Sequence, residues 1–308
     1  MTRRLIGGLL GLVLFCAVAF GVNALIVGGQ TRQARAYDGF IVRLPHGDDL
    51  QVHENGPASA PALVLLHGFA GSLRWWDAIT PALATRYHVV RIDLLGHGGS
   101  AKPAGGYSME HQAQLVDEAL GKLGVHRAVI IGHSMGGLVA TALARRHRAL
   151  TAGVVVIDSP PRSSASTLPF LARLAFVPLI GPATRTLATD GMVASALGSA
   201  FAPGFKVRRV YAGDFWRMTY TSYHDSHSDS TAYLEREPLP ARLKALKVPL
   251  LALYGTRDQL VSPRSERDYE TVPGAQVLAI PGSGHSPMIE KPYATSQLIL
   301  AFGRRVLR

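Results

Sequence analysis

Apolar and polar positions change pattern three times along the chain. Leu5 to Ile26 is apolar throughout except for Asn23 and glycines, and Gln30 to Tyr37 is a polar linker. Phe40-Ile41-Val42-Arg43-Leu44 and Leu50-Gln51-Val52-His53 then alternate about a Gly-Asp turn, which predicts an antiparallel hairpin. Beyond it, short apolar runs alternate with helical patterns. Ala62–Leu66, His88–Asp93, Ala128–Ile131, Gly153–Asp158, Pro249–Tyr254 and Gln276–Ile280 read as strands, with helices expected over Trp75 to Thr85 and Met109 to Leu123. Near-continuous apolar strands between amphipathic helices imply a sheet buried on both faces. The expected fold class is α/β: a mostly parallel, eight-stranded twisted sheet with helices on both faces, opened by the N-terminal hairpin.

Between Pro160 and about Pro238 no strand pattern appears, only helical fragments rich in Ala, Leu, Arg and aromatics. That stretch is too long for a plain crossover, and it is expected to form a helical cap over the strand ends. The division that follows is 1–36 as an N-terminal segment and linker, 37–159 with 239–308 as the core, and 160–238 as the cap. Within the cap, His224, Asp225, His227 and Asp229 match no recognised metal-ligand spacing, and a solvated helix end is expected.

The N-terminal run, taken as a helix, would extend about 33 Å, enough to cross a hydrocarbon core of about 30 Å. Its length favours a single membrane anchor, of bacterial inner-membrane type, over a cleaved signal. Ala17-Val18-Ala19 and Ala34-Arg35-Ala36 leave cleavage and export open.

The net charge of +11 spread over 308 residues comes mainly from scattered arginines. No basic stripe is interleaved with aromatics, which argues against nucleic acid as a partner. The single cysteine, Cys16, excludes an intrachain disulfide.

Candidate chemistry centres on Gly132-His133-Ser134-Met135-Gly136, between a buried-strand pattern and a helical one. A serine on such a turn points its hydroxyl away from the sheet, above the free N–H groups of a helix start. A serine hydroxyl is a weak nucleophile at neutral pH. It needs a base, and the base needs a partner to fix its tautomer. Asp258 and His285 each follow a strand, in the order Ser134, Asp258, His285, so all three should reach one sheet edge. Asp158, at another strand end, is the rival acid. His67, His97 and His133 are rival bases, but all three precede the acid in the chain. An oxyanion would need two preset N–H donors, and Met135 and Phe69 are the candidates.

These residues resemble the α/β-hydrolase superfamily over roughly Gly39 to Arg308. The resemblance rests on His67-Gly68-Phe69, Asp93-Leu94-Leu95-Gly96-His97-Gly98-Gly99-Ser100, the serine turn, the Asp258 loop, and Gly284-His285-Ser286-Pro287 with Glu290 and Pro292. It implies a serine hydrolase similar to carboxylesterases and monoacylglycerol-lipase-like enzymes, acting on small-molecule, including lipid-like, esters through an acyl-enzyme. It implies no cofactor and no metal. Carbon–carbon bond hydrolases, acyltransferases and cofactor-free haloperoxidase-like enzymes use the same triad and stay open, as does an idle ligand-binding protein of this fold. A carbon–carbon hydrolase would want an arginine for its anionic substrate, and Arg257 is the neighbour available.

Overall fold

The structure, a computed structural model, describes residues 39–167, 176–177, 181–182, 185 and 188–307, together with 7, 8, 10, 11, 13–15, 17, 18, 21, 22, 25 and 28. Its strands are β1 (Phe40–Val42), β2 (Leu50–Asn55), β3 (Ala62–Leu66), β4 (His88–Ile92), β5 (Ala128–His133), β6 (Thr151–Ile157), β7 (Leu250–Gly255) and β8 (Gln276–Ile280). They form one eight-stranded sheet in the order β1-β2-β4-β3-β5-β6-β7-β8. β1 and β2 pair antiparallel, as do β2 and β4, and every other pairing is parallel.

Side-chain alternation explains why both faces are covered. Leu63, Leu65, Val129, Ile131, Val155 and Ile157 enter one buried cluster, while Val64, Leu66, Ile130, Val154 and Val156 enter another on the opposite face. A strand apolar at every position buries all of it only when elements pack on both sides. α1 (Thr80–Ala84) contributes Leu83 to the first cluster. α2 (Met109–Lys122) and α3 (Met135–Arg146) cover the second with Val116, Leu120, Leu138 and Val139.

Between β6 and β7 lie α4 (Asp190–Leu197), α5 (Arg209–Trp216), α6 (Tyr220–Arg236) and α7 (Leu239–Leu246). After β8 come α8 (Pro287–Glu290) and α9 (Pro292–Val306), which returns Ile299 and Phe302 to the first face.

Two expectations are corrected. The helix expected over Trp75 to Thr85 is split into a 3₁₀ turn, Leu73–Trp76, and α1, with Pro81 in the first turn of α1. Proline lacks an N–H and its ring meets the carbonyl four residues back, so a helix cannot run through from Trp75. The second correction concerns the N-terminus. A span needs about 20 residues of unbroken apolar helix. Among the described residues no helix is long and apolar enough to cross a membrane, and the rest of Leu5 to Ile26 lies outside the described residues. The single transmembrane helix, and the membrane or exported location drawn from it, are withdrawn.

Candidate active site

Ser134 sits between β5 and α3 with φ 50° and ψ −119°, a backbone that L-residues rarely adopt. The strain is held from both sides. Ser134 N–H donates to Ile157 O at 2.9 Å, and Ser134 O accepts from Gly137 N–H at 2.9 Å. The flanking glycines are fixed by close approach. A Cβ on Gly132 would lie 2.1 Å from Gly136 O, and one on Gly136 would lie 2.2 Å from Leu66 O. Along β5 and the first ten residues of α3, Ser134 alone is not buried. Its hydroxyl stands on a rigid, part-exposed corner above a helix N-terminus.

The loop after β3 passes beside this corner. A Cβ on Gly68 would lie 3.1 Å from Ser134 Cβ, and Ala70 in the same loop has φ 53°. His67 holds the loop to itself: Leu94 N–H donates to its Nε2 at 3.0 Å, so Nδ1 carries the proton and donates to Gly68 O at 2.8 Å. Burial, against the pull of Asp93, lowers the pKa of His67. Phe69 turns its ring onto Tyr223 of α6, 4.7 Å between centroids, with His227 at 5.7 Å and Phe176 at 6.3 Å. Aromatic groups from the segment between β6 and β7 therefore cover the loop next to Ser134. Burial, with His224 adding to it, drops His227 to about 4, so that ring is neutral at physiological pH.

Asp258 follows β7. Its Oδ1 accepts from Leu260 N–H at 2.7 Å and Val261 N–H at 3.0 Å, and its Oδ2 accepts from His285 Nδ1 at 2.7 Å. Burial would raise this carboxyl, but the His285 charge and hydrogen bond, with the Val261 and Leu260 amides, outweigh it and hold Asp258 below its ordinary value. His285 is buried after β8. Its carbonyl accepts from His133 Nε2 at 2.7 Å, and the two rings lie 5.0 Å apart. His133 precedes Ser134 directly, so this contact ties the histidine loop to the serine corner. Burial, then His285, pushes His133 down to about 3. It is a neutral strut rather than a base.

Sequence reasoning did not assign a role to Glu290. Its carboxylate accepts from Gly284 N–H at 3.0 Å, Ser286 N–H at 3.2 Å and Ala202 N–H at 2.8 Å. It clamps both sides of His285 and joins them to the helical segment. A carboxylate five residues past the histidine, at the end of a one-turn helix, was the available signal.

The other candidates separate. Asp93 is a loop brace: Oδ1 accepts from Leu73 N–H at 2.6 Å and Oδ2 from Gly99 N–H at 2.8 Å. His97 is buried beside His67. Arg257 is exposed, with its backbone N–H on Ser283 O. His224 bonds its neighbour Asp225 at 2.8 Å. Among the described residues the grouping with ligand-like spacing is Asp158, Asp258 and His285, whose atoms lie within 4.8 Å of one another. Within that grouping, His285 Nδ1 is hydrogen-bonded to Asp258 Oδ2 at 2.7 Å.

The sheet order, the strained serine corner and the loops at its edge agree with one family, and residues 61–292 match the alpha/beta hydrolase fold family over most of the chain. The chain belongs to the alpha/beta hydrolase fold family. This alpha/beta hydrolase is 28% identical over 267 residues to a bifunctional esterase/perhydrolase of Acinetobacter calcoaceticus, covering 84% of this chain and 97% of that one. It is 30% identical over 258 residues to a pimeloyl-[acyl-carrier protein] methyl ester esterase of Sodalis glossinidius, covering 79% and 93%. Among solved structures it resembles a membrane phospholipase A described as a bacterial virulence factor, at TM-score 0.70 and 26% identity over 100% of both chains. The fold and these esterase-type relatives support a hydrolase.

Proposed function

We propose that this alpha/beta hydrolase is a serine-dependent carboxylic ester hydrolase. The observation carrying the reading is the 2.7 Å bond from His285 Nδ1 to Asp258 Oδ2, on loops tied through His133 to the strained, part-exposed Ser134. Asp258 fixes the His285 tautomer with Nε2 unprotonated. That nitrogen takes the Ser134 proton as Oγ attacks the ester carbonyl, and the Met135 and Phe69 N–H groups receive the developing oxyanion. His285 then gives the proton to the leaving alcohol. Water repeats the cycle on the acyl-enzyme and frees Ser134. Residues 37–159 and 239–308 serve as the core, and 160–238 as a cap whose aromatic groups shape the site.

Small-molecule esters, lipid-like ones among them, are the substrate class. The relatives that act on esters support this, as do the uncharged rings of Phe69, Phe176, Tyr223 and His227. A carbon–carbon hydrolase is less well supported, because Arg257 faces solvent. Acyl transfer to a nucleophile other than water is a second reading, favoured by the esterase/perhydrolase relative. A fluorophosphonate probe should label wild type and not Ser134→Ala, and Ser134→Ala should lose at least about a thousandfold in p-nitrophenyl ester turnover. Unchanged turnover in that variant would remove Ser134 as nucleophile. Absence of labelling in wild type would favour the idle ligand-binding alternative.

A further inference from the structure

A second buried carboxyl stands behind the first. Asp158 follows β6 with φ 45°, and its side chain is fully buried. Ala70, Ser134 and Asp158 are three of the five non-glycine residues with positive φ among the described residues, and all three border the site. Strain of this kind persists where surrounding structure over-determines it. Asp158 Oδ1 accepts from Gly255 N–H at 2.8 Å, while Oδ2 is sealed from water with no donor group facing it. The neighbours of Asp158 are Asp258 and His285, with one oxygen or nitrogen from each of the three side chains within 4.8 Å of the others. Two carboxylate oxygens cannot bond without a proton between them.

The donor count decides which carboxyl keeps the proton. Asp258 receives two amides and the imidazole, whereas Asp158 receives one amide. We infer that Asp158 is a positioning residue that stays a neutral acid and donates its hydrogen to Asp258, fixing the carboxylate that orients His285. This rests on the triad proposed above. The charge then sits on Asp258, next to the ring that must become imidazolium, and a second charge is kept out of the pocket. Burial, Asp258 and Glu266 all push the Asp158 pKa up. The other groups facing it are His285 and Glu266. Glu266 is itself buried, with neither oxygen hydrogen-bonded, and is pushed up by burial and by Asp258. Tyr269 closes the same space by donating to Ser159 O at 2.9 Å.

The test is a pH–rate profile on p-nitrophenyl butyrate for wild type, Asp158→Asn, Asp158→Ala and Ser134→Ala. Asparagine keeps a neutral donor and an acceptor in the same places. Asp158→Ala should lower kcat about tenfold or more, with KM within about twofold. It should also move the acid limb of kcat/KM up by about half a unit, because Asp258 without that hydrogen bond holds imidazolium more tightly. Asp158→Asn should recover kcat to within about fivefold of wild type, with the limb in place.

Equal loss in both Asp158 variants, or a drop in kcat with no shift of the limb in alanine, overturns the inference and leaves the triad standing. Full turnover by Ser134→Ala overturns both. A melting curve of Asp158→Asn needs no disruptive variant. A neutral amide is relieved of the proton uptake that folding imposes on Asp158 above its unfolded pKa. Its Tm should therefore equal or exceed wild type at pH 8, with the advantage shrinking toward pH 4. A Tm clearly below wild type at pH 8 would mean that Asp158 carries a charge, and would end the inference.

Discussion

At the scale of single residues, the site is held by bonds that leave little room for substitution. Asp258 uses one oxygen for two amides and the other for His285. Asp258→Asn would present an NH₂ group to a ring nitrogen that should itself donate, favouring the wrong tautomer. Turnover should fall by about 10⁴ with the fold intact, measured as kcat beside an unchanged circular dichroism spectrum. Gly136 is equally constrained, but for stability. A methyl group there would sit 2.2 Å from a backbone carbonyl of β3, which has no rotamer to move. Gly136→Ala should destabilise by more than about 3 kcal/mol in urea unfolding. An alanine variant as stable as wild type would mean that the corner can relax.

Among the elements, the strands and the strand-end positions of Asp258 and His285 were legible because each rests on a local pattern. Apolar runs of the right length marked β3 to β8, and loops following β7 and β8 placed Asp258 and His285. What stayed hidden depends on lateral neighbours. Pro81 alone hinted that the helix after Trp75 would break. No local signal says that β6 lies beside β7, and so that Asp158 would stand against Asp258. The apolar N-terminal run met the length rule for a span, but among the described residues no helix is long and apolar enough to cross a membrane.

The link between α5 and the core was likewise invisible. Asp214 accepts from Ser72 Oγ at 3.0 Å and Trp75 Nε1 at 2.9 Å, and pairs with Arg217. Burial lifts its pKa to about 6, against Arg217. The folded form therefore holds a proton that the unfolded chain, titrating near 3.9, releases. Acidification through 6 should stabilise wild type relative to Asp214→Asn, with the gain complete near pH 4. Paired urea curves at pH 7 and 4 check the sign, and a constant difference would count against it.

Over the whole molecule, positive charge is in excess, while the rings packed on the loop beside Ser134 are uncharged. The full sequence carries a surplus of +11. Encounter with anionic esters should be steered by that field and weakened by salt, whereas neutral esters should be indifferent. The expected result is a kcat/KM that falls between 20 and 300 mM salt (about 20 Å to 6 Å of screening length) for a carboxylated p-nitrophenyl ester, and a flat response for p-nitrophenyl butyrate. Parallel responses would place the field elsewhere.

Glu290 grips the turn on either side of His285 and, with the same carboxylate, the backbone at Ala202. Any swing of the overlying helices must pull on that grip or release it. If His285 is the base proposed above, entry of a bulky substrate beneath those helices would loosen it, and closure would set it again.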